Sequence, residues 1–235
     1  MQAPTSPVSR RERPTKPPLS KEAVVDVAIA LMRAEGLDRV TMRRVAAALD
    51  TGPASIYVYV ASTVALHAEV LDRVVADLAV PEGGAWQDRV QQLLHAYGAL
   101  LDTHRGLARS ALVVRPTGPA MLGLFDALLG LLLEGGVEPG RGSWCVDLLL
   151  LVVTAAAAEH AEPGRDDVDA PGEPGDGLAA VRAGIAASGP DRLPHLAAHA
   201  DVALSGTPWQ RAGWQVQAIL AGAARSPLPE TEVRP

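Results

Sequence analysis

Two neighbouring arginines and two tyrosines near the N-terminus have the chemistry needed to hold a polyanion. They lie in residues 41–66, which read TMRRVAAALDTGPASIYVYVASTVAL. An arginine such as Arg43 can pair bidentately with guanine, which is worth roughly 1–3 kcal/mol of discrimination, and Arg44 can hold a phosphate. The hydroxyl groups of Tyr57 and Tyr59 can donate to phosphate oxygens. These side chains make a nucleic acid the first partner to consider.

Charge is unevenly distributed along the chain. The net charge is −6 over 235 residues, but residues 1–63 contain nine Lys/Arg and six Asp/Glu. The remaining residues contain 12 basic and 21 acidic side chains. A positive N-terminal quarter on an acidic protein favours contact between this end and a polyanion.

Several kinds of site lack the residues that they need. Cys145 is the only cysteine, which excludes an intramolecular disulfide and a cysteine-based zinc site. His195 and His199 share a helix face but have no evident third ligand, so a solvated polar face is the better interpretation. The chain also has no HExxH motif, no glycine-rich phosphate loop and no assignable Ser-His-Asp set. We therefore expect no metal, no cofactor and no enzymatic activity.

The most apolar stretch is predicted to be a buried helix rather than a membrane span. It covers residues 145–158, is interrupted by Asp147 and falls short of the ~20 residues that a bilayer requires. Residues 1–20 are rich in Pro, Ser and Arg and have no apolar stretch like that of a signal peptide. We expect a soluble, cytoplasmic protein with no membrane partner.

Apolar residues recur at three- and four-residue spacing along most of the chain, which predicts an all-α fold. Ser20, Thr41 and Ser62 precede such stretches and can cap helices, and Gly36 can end the first helix. Pro53 suits the first turn of a helix, where its missing N–H is not needed. The predicted helices lie at about 21–35, 42–49, 53–60, 63–80, 86–103, 106–114, 120–135, 141–161, 178–187, 190–204 and 208–224.

Residues 41–60 have the layout of a helix-turn-helix. Two short helices are joined by a turn at residues 50–52, and such a motif places its second helix in the major groove of DNA. That recognition helix is Pro53–Val60 in this chain, and small residues at its start would let its N-terminus approach the bases. An ordinary pair of packed short helices is the alternative interpretation.

The same segment resembles the TetR family of repressors over about residues 20–72. The family has a threonine at the start of the second helix, a Leu-Tyr pair in the recognition helix and a serine or asparagine before the fourth helix. This chain has Thr41, Ile56-Tyr57 and Ser62 in those places. The turn, the Ile-Tyr pair, the serine cap and the N-terminal position agree with one another, which favours the motif over the alternative.

The resemblance has three departures that bear on DNA binding. Asp50 replaces the usual glycine of the turn, Tyr59 replaces a histidine, and Thr63 replaces a lysine that contacts phosphate. Because residues 52–60 contain no Lys or Arg, base reading is expected to fall to Arg43, which matches a base-contacting position of the tetracycline-repressor subgroup. The predicted DNA-contacting residues are Lys21, Thr41, Arg43, Arg44, Gly52, Pro53, Ala54, Ser55, Tyr57, Tyr59 and Thr63.

The resemblance also implies a domain plan and a homodimer. The plan is a flexible basic arm at 1–19, a helix-turn-helix domain at 20–65, a helical ligand-binding and dimerisation domain at 66–225 and a tail at 226–235. Within the second domain, the acidic residues 162–177 predict a mobile loop. Family members dimerise through a four-helix bundle, and the predicted helices at 141–161 and 208–224 have the spare apolar surface for it. Two recognition helices ~34–36 Å apart would then bind a pseudo-palindromic operator.

The predicted inducer is a small molecule held largely by apolar contacts. In the tetracycline-repressor subgroup, a histidine shortly before an Arg-Pro-Thr sequence ligates the Mg²⁺ of the drug, and Ala111 occupies the matching position here. A tetracycline–magnesium inducer of that type is therefore not expected. For each candidate pocket residue, plain core packing is the alternative role. The candidates are His67, Trp86, Leu94, Tyr97, Leu112, Leu128 and Trp144.

Two other functions share most of these features. A DNA-binding regulator without an inducer would keep the motif and show no ligand-dependent release. A ligand-sequestering protein with weak DNA binding is suggested by the absence of basic residues from the recognition helix. Release of operator DNA by a ligand separates both alternatives from an inducible repressor.

Overall fold

The computed structural model describes residues 18–114, 117–160 and 176–229 of the chain. Within these ranges the secondary structure is helical and contains no strand, which confirms the predicted all-α fold. The predicted arm, the acidic loop and the end of the tail lie largely outside the described residues. The helices are α1 Lys21–Glu35, α2 Met42–Ala48, α3 Pro53–Ile56, α4 Thr63–Val75, α5 Trp86–Thr103, α6 Leu107–Val113, α7 Pro119–Glu134, α8 Pro139–His160, α9 Asp176–Ser188, α10 Pro194–Ala203 and α11 Pro208–Ala223.

The predicted helix caps of the N-terminal part are present. The side chains of Ser20, Thr41 and Ser62 each accept a hydrogen bond from the backbone N–H three residues later, at 3.1, 3.3 and 3.0 Å. Such caps satisfy donors that have no partner inside the helix, so they fix where α1, α2 and α4 begin. Gly36 ends α1 with a φ of 90°, a backbone conformation that glycine tolerates best.

Helices α1 to α4 close around one apolar cluster at the N-terminal end of the fold. Its fully buried members include Val24, Ala28, Val45, Ile56 and Leu66. Since α4 contributes to this cluster and also packs against α5, α6 and α7, it joins the N-terminal helices to the rest of the chain. In the larger C-terminal part, α8 is central and packs against α5, α6, α7 and α11.

Several predicted helix bounds differ from the structure, among them the end of α4, which was predicted at about residue 80 and lies at Val75. The recognition helix was expected to reach Val60, but α3 ends at Ile56, and the chain continues as a turn in which the N–H of Val60 still donates to the carbonyl of Ile56 at 3.1 Å. The predicted helix at 190–204 begins only at Pro194, because proline has no N–H to donate and fits the first turn of a helix.

Helix α8 extends beyond the apolar stretch at 145–158 and lies close to the helix predicted at 141–161. It has 22 residues, and its segment Pro139–Glu159 has a mean hydropathy of 1.5 and is 39% buried. Length and composition alone would let it cross a bilayer, but the core helix of a soluble protein meets the same criteria. One side of α8 is buried in the core, while Trp144, Leu148 and Leu151 on the other side are exposed.

Candidate nucleic-acid interface and sensor domain

The predicted recognition segment lies on the surface and is anchored from below. Ile56 and Val60 are buried in the N-terminal core, whereas the intervening Tyr57 side chain is 53% exposed and Tyr59 is also exposed. The turn before α3 carries Asp50 with a φ of 49°. That left-handed conformation is one that aspartate adopts more readily than most side chains, which explains how the chain manages without the usual glycine.

The three basic residues predicted to contact DNA differ in whether their side chains already pair with a carboxylate. The Arg43 side chain is exposed and makes no hydrogen bond or ion pair with any residue in the described ranges. Arg44 donates two hydrogen bonds to the Glu35 carboxylate, at 2.8 and 2.5 Å, and this contact lowers the pKa of Glu35. Lys21 pairs with Glu69 at 2.5 Å. A phosphate contact through Arg44 or Lys21 stays a prediction. It would require Arg44 to share or release the Glu35 carboxylate, or Lys21 to share or release the Glu69 carboxylate.

The other predicted DNA-contacting residues are small and accessible. Gly52, Pro53 and Ala54 are exposed, and Ser55 is partly exposed. Thr63 is the first residue of α4 and is partly exposed, while Thr41 is exposed with its hydroxyl already engaged as the cap of α2. The structure therefore places the predicted contacts at accessible positions, and which of them touch DNA stays a prediction.

His67 links the N-terminal domain to α6. Its Nε2 atom lies 3.1 Å from the carbonyl oxygen of Val40, and its Nδ1 atom lies 3.4 Å from Oγ of Ser110. Because a carbonyl can only accept, the proton of a neutral ring belongs on Nε2 in this arrangement, and Nδ1 accepts from the Ser110 hydroxyl. The sequence suggested that His67 lines a ligand pocket, whereas the structure places it at the junction between the two parts.

Asp72 ties α4 to α7. Its Oδ1 atom accepts a hydrogen bond of 2.9 Å from the backbone N–H of Met121, in the first turn of α7. The Asp72 carboxylate also fills the space that a side chain at Gly118 would need. Helix α4 is thus connected by side-chain hydrogen bonds both to the C-terminal helices and, through His67, to the N-terminal domain.

Removing the Asp72 carboxylate, which caps the first turn of α7, directly tests the link between α4 and α7. We expect Asp72→Ala to lower the free energy of unfolding by about 1 kcal/mol, because it leaves an N-terminal donor of α7 without its partner. Urea denaturation followed by circular dichroism measures the change. Asp77→Ala is the matched control, since Asp77 is exposed after the end of α4 and has no side-chain partner in the described ranges. Equal changes in the two variants would contradict a capping role.

A cleft opens between α5, α8 and α11. We name it the Trp209 cleft; it encloses about 290 Å³ and is lined by Gln91, Gln92, Leu94, His95, Val153, Trp209, Ala212, Gly213 and Val216. Behind it, the Tyr97 hydroxyl and Oγ1 of Thr154 form a buried hydrogen bond of 3.0 Å. Burial raises the pKa of Tyr97, and the hydrogen bond with Thr154 opposes this in part, so the phenol stays protonated at neutral pH.

The seven residues suggested for a ligand pocket do not come together in one site. Leu94 lines the Trp209 cleft, Tyr97 lies in the core beside it, and Leu128 is fully buried in the core. Trp86 packs over Gly135 at the end of α7. Besides His67, the remaining two, Leu112 and Trp144, have exposed side chains outside the cleft.

Sequence reasoning missed most residues of the cleft. Trp209 belongs to the helix predicted at 208–224, which was expected to form the dimer, yet its ring lies against Gly98 of α5 and beside His95. The available signal was the glycine at position 98, which interrupts an otherwise large-residue apolar face and leaves room for a bulky neighbour.

A second apolar surface lies on the outer side of α8 and α11. We name it the α8–α11 face; it forms a groove of about 930 Å³ whose lining includes Trp144, Leu148, Leu151, Ala218 and Gly222. Its most exposed large apolar side chains, Trp144, Leu148 and Leu151, come from α8, while α11 contributes Ile219 together with the small residues Ala218, Gly222 and Ala223.

Comparison with known proteins agrees with this division of the chain. Residues 24–70 match the family of bacterial regulatory proteins described as the tetR family. Residues 79–204, more than half of the chain, match the tetracyclin repressor-like C-terminal domain. The chain belongs to the TetR family of transcriptional regulators. The suggested resemblance is therefore confirmed, and the second match extends it through the C-terminal helices as far as residue 204.

Three of the similar proteins come from Streptomyces. The HTH-type transcriptional repressor DrrR1 of Streptomyces coeruleorubidus is 32% identical over 154 residues, which are 64% of this chain and 57% of the length of that repressor. The crystal structure of SCO7704, described as a transcription regulator of Streptomyces coelicolor, has a TM-score of 0.77 at 38% identity and covers 92% of this chain and 100% of that one. ActR of Streptomyces coelicolor, solved in complex with (S)-DNPA, has a TM-score of 0.77 at 28% identity, with 88% of this chain and 98% of that one covered.

Proposed function

We propose that this TetR-family chain is a cytoplasmic repressor that binds a pseudo-palindromic operator as a homodimer and leaves it when a small molecule binds. The observation that carries the proposal is the exposed segment from Gly52 to Tyr59, held from below by buried Ile56 and Val60. A segment that only packed two helices together would bury its tyrosines. Here both tyrosines face outward, beside small residues that leave the backbone accessible.

Base reading is assigned to Arg43 in this proposal. It is an exposed arginine of the motif without an intramolecular partner in the described ranges, so pairing with a base does not require it to leave a carboxylate. Tyr57 and Tyr59 supply hydroxyl groups for phosphates, which position the protein without specifying sequence. Affinity then depends on few cationic contacts, and we expect a shallow dependence of operator binding on salt concentration.

Dimerisation is assigned to the α8–α11 face. A monomer would leave Trp144, Leu148 and Leu151 in water, with 58%, 44% and 53% of their surfaces exposed. The small residues Ala218 and Gly222 on α11 allow the helices of a second copy to approach closely. In this proposal the face pairs with the same face of a second copy to give a bundle of four helices, and the two recognition segments lie on one side of the dimer.

Inducer binding is assigned to the C-terminal helices. ActR, a relative over most of the chain, has been solved in complex with actinorhodin and with (S)-DNPA, which supports a small-molecule role for this domain here. A ligand that prefers a conformation with the wrong spacing of recognition segments must lower the affinity for DNA, and DNA must lower the affinity for the ligand equally. The contacts of His67 and Asp72 make α4 the element through which the two sites are coupled.

The proposal is tested by binding the full chain to the DNA upstream of its own coding sequence. Fluorescence anisotropy should show binding at least 1000-fold tighter than to a scrambled duplex of equal length, which is the usual margin of specific recognition. Comparable affinities for the two duplexes, at 50 and at 200 mM salt, would contradict a repressor with a site at this place and would favour a ligand-sequestering protein.

A further inference from the structure

The Trp209 cleft has no carboxylate, lysine or arginine in its lining, but it is not purely apolar. None of its nine lining residues is Asp, Glu, Lys or Arg. Gln91 and Gln92 present side-chain amides, and neither amide forms a hydrogen bond with another residue of the described ranges. An amide offers both donors and an acceptor. The cleft therefore suits a neutral molecule that carries a hydroxyl or carbonyl group, and it disfavours an ion, whose lost hydration no lining carboxylate, lysine or arginine would replace.

One wall of the cleft is aromatic. The rings of Trp209 and His95 meet edge to face, with centroids 5.4 Å apart and an interplanar angle of 67°. The indole lies directly on Gly98, where a Cβ atom would come within 2.7 Å of its Cη2 atom. Aromatic side chains favour stacked or edge-to-face partners over saturated ones of equal size. A planar aromatic ligand therefore matches this wall best.

The size of the cleft limits the ligand to a small one. Its volume of about 290 Å³ lies at the lower end of the range for small-molecule pockets, which begins near 300 Å³. Leu94, Val153 and Val216 provide an apolar floor. Two fused rings fill such a space, whereas a longer ligand would extend into solvent.

We propose that the Trp209 cleft binds a neutral, planar, bicyclic aromatic molecule that carries a hydroxyl or carbonyl group. The ring system lies against the Trp209 indole, and its polar group hydrogen-bonds with the Gln91 or Gln92 amide. The identification of this molecule with the inducer rests on the proposed function, whereas binding in the cleft does not.

Two helices of the cleft, α11 and α5, lead to the α8–α11 face and to the N-terminal domain. Helix α11 contributes Trp209 to the cleft and Ala218 to the α8–α11 face. Helix α5 leads to Arg105, whose carbonyl accepts a hydrogen bond of 2.8 Å from the N–H of Leu37 in the N-terminal domain. A ligand that separates α5 from α11 therefore acts on the dimer face and on the placement of the N-terminal domain.

The test uses three naphthalene derivatives that differ in charge. The full chain is titrated at pH 7.5 with 2-naphthol, 2-naphthoate and 2-naphthylmethylammonium by isothermal calorimetry. We expect one 2-naphthol per subunit and at least tenfold weaker binding of both ions. Gly98→Ala should weaken 2-naphthol binding at least tenfold, because the new methyl group displaces the indole into the cleft. Gly123→Ala is the matched control, since Gly123 lies in α7 with open space at its Cβ position.

A second pair of variants keeps the test decisive if Gly98→Ala does not fold. The double variant Gln91→Leu, Gln92→Leu should lose the preference for 2-naphthol over unsubstituted naphthalene. Trp209→Phe should remove most of the quenching of tryptophan emission that 2-naphthol causes in the wild-type chain. Equal binding of the three derivatives, or unchanged affinity in the folded cleft variants, would overturn the proposal.

Operator binding by the same preparations separates this proposal from the proposed function. Specific DNA binding without binding of 2-naphthol in the cleft contradicts the cleft assignment alone. Binding of 2-naphthol in the cleft without specific DNA binding supports the cleft and contradicts the repressor. Binding that survives all cleft variants but is lost in Leu151→Glu places the aromatic molecule on the α8–α11 face and overturns the cleft assignment.

Discussion

Leu148→Glu combined with Leu151→Glu is expected to give a folded monomer of 24.5 kDa that binds operator DNA at least 100-fold more weakly than the wild-type dimer. In the wild type, both leucines are half exposed on the α8–α11 face and would be covered in a dimer. Two carboxylates per subunit would have to be desolvated in the bundle, which costs far more than the apolar contacts they replace. A monomer touches only one half-site, so operator affinity falls with the dimer.

The measurement is light scattering coupled to size-exclusion chromatography, followed by anisotropy titration with the operator. Val113→Glu is the control, because Val113 on α6 is equally apolar and more exposed but lies outside the α8–α11 face. It should remain dimeric and bind the operator normally. A wild-type mass of one subunit, or a double variant that stays dimeric, would contradict the assignment of the α8–α11 face as the dimer interface.

The second large effect is expected at Arg43. Replacement by alanine should weaken operator binding by roughly 1–3 kcal/mol per half-site, which is about 5- to 150-fold, and should relax the base preference at one position of each half-site. Binding to non-specific DNA should change much less, because a base contact contributes little there.

The substitution Arg43→Lys distinguishes base contact from phosphate contact. Lysine keeps the charge but lacks the planar pair of donors that matches guanine, so a base-reading role predicts little rescue. Arg33→Ala is the matched control, because Arg33 is an exposed arginine of the same domain on α1. A loss that is equal for all DNA sequences and is restored by lysine would assign Arg43 to a phosphate instead.

Local signals explain why so much of the fold could be predicted from the sequence. Ser20, Thr41 and Ser62 cap helices through contacts only three residues long, and Gly36 ends α1 through its own backbone preference. Such effects depend on neighbours in the chain and not on the tertiary structure. The early end of α3 could not be predicted this way, because the burial of Val60 in the N-terminal core sets the path of the turn that follows.

The sites depend on long-range contacts that spacing does not reveal. The sequence shows that Arg44 is basic but not that Glu35 holds it. It shows that His67 is a lone histidine on an apolar helix but not that Val40 and Ser110 meet its two nitrogens.

Helix α11 shows the same limit most clearly. Its pattern has two tryptophans five residues apart, Trp209 and Trp214, and periodicity alone does not say which one faces inward. The packing of Gly98 against Trp209 decides it, and Trp214 is left 69% exposed. A contact that joins α5 to α11 cannot be recognised from either helix by itself.

The proposed function requires a symmetric homodimer that presents the segment Gly52–Tyr59 to DNA twice. Hydroxyl-radical footprinting of the full chain on the DNA upstream of its coding sequence tests it most directly. We expect two protected patches related by two-fold symmetry, with centres about 10 bp or one helical turn apart, and their loss in the Leu148→Glu, Leu151→Glu variant. A single patch, or protection that persists unchanged in that variant, would contradict it.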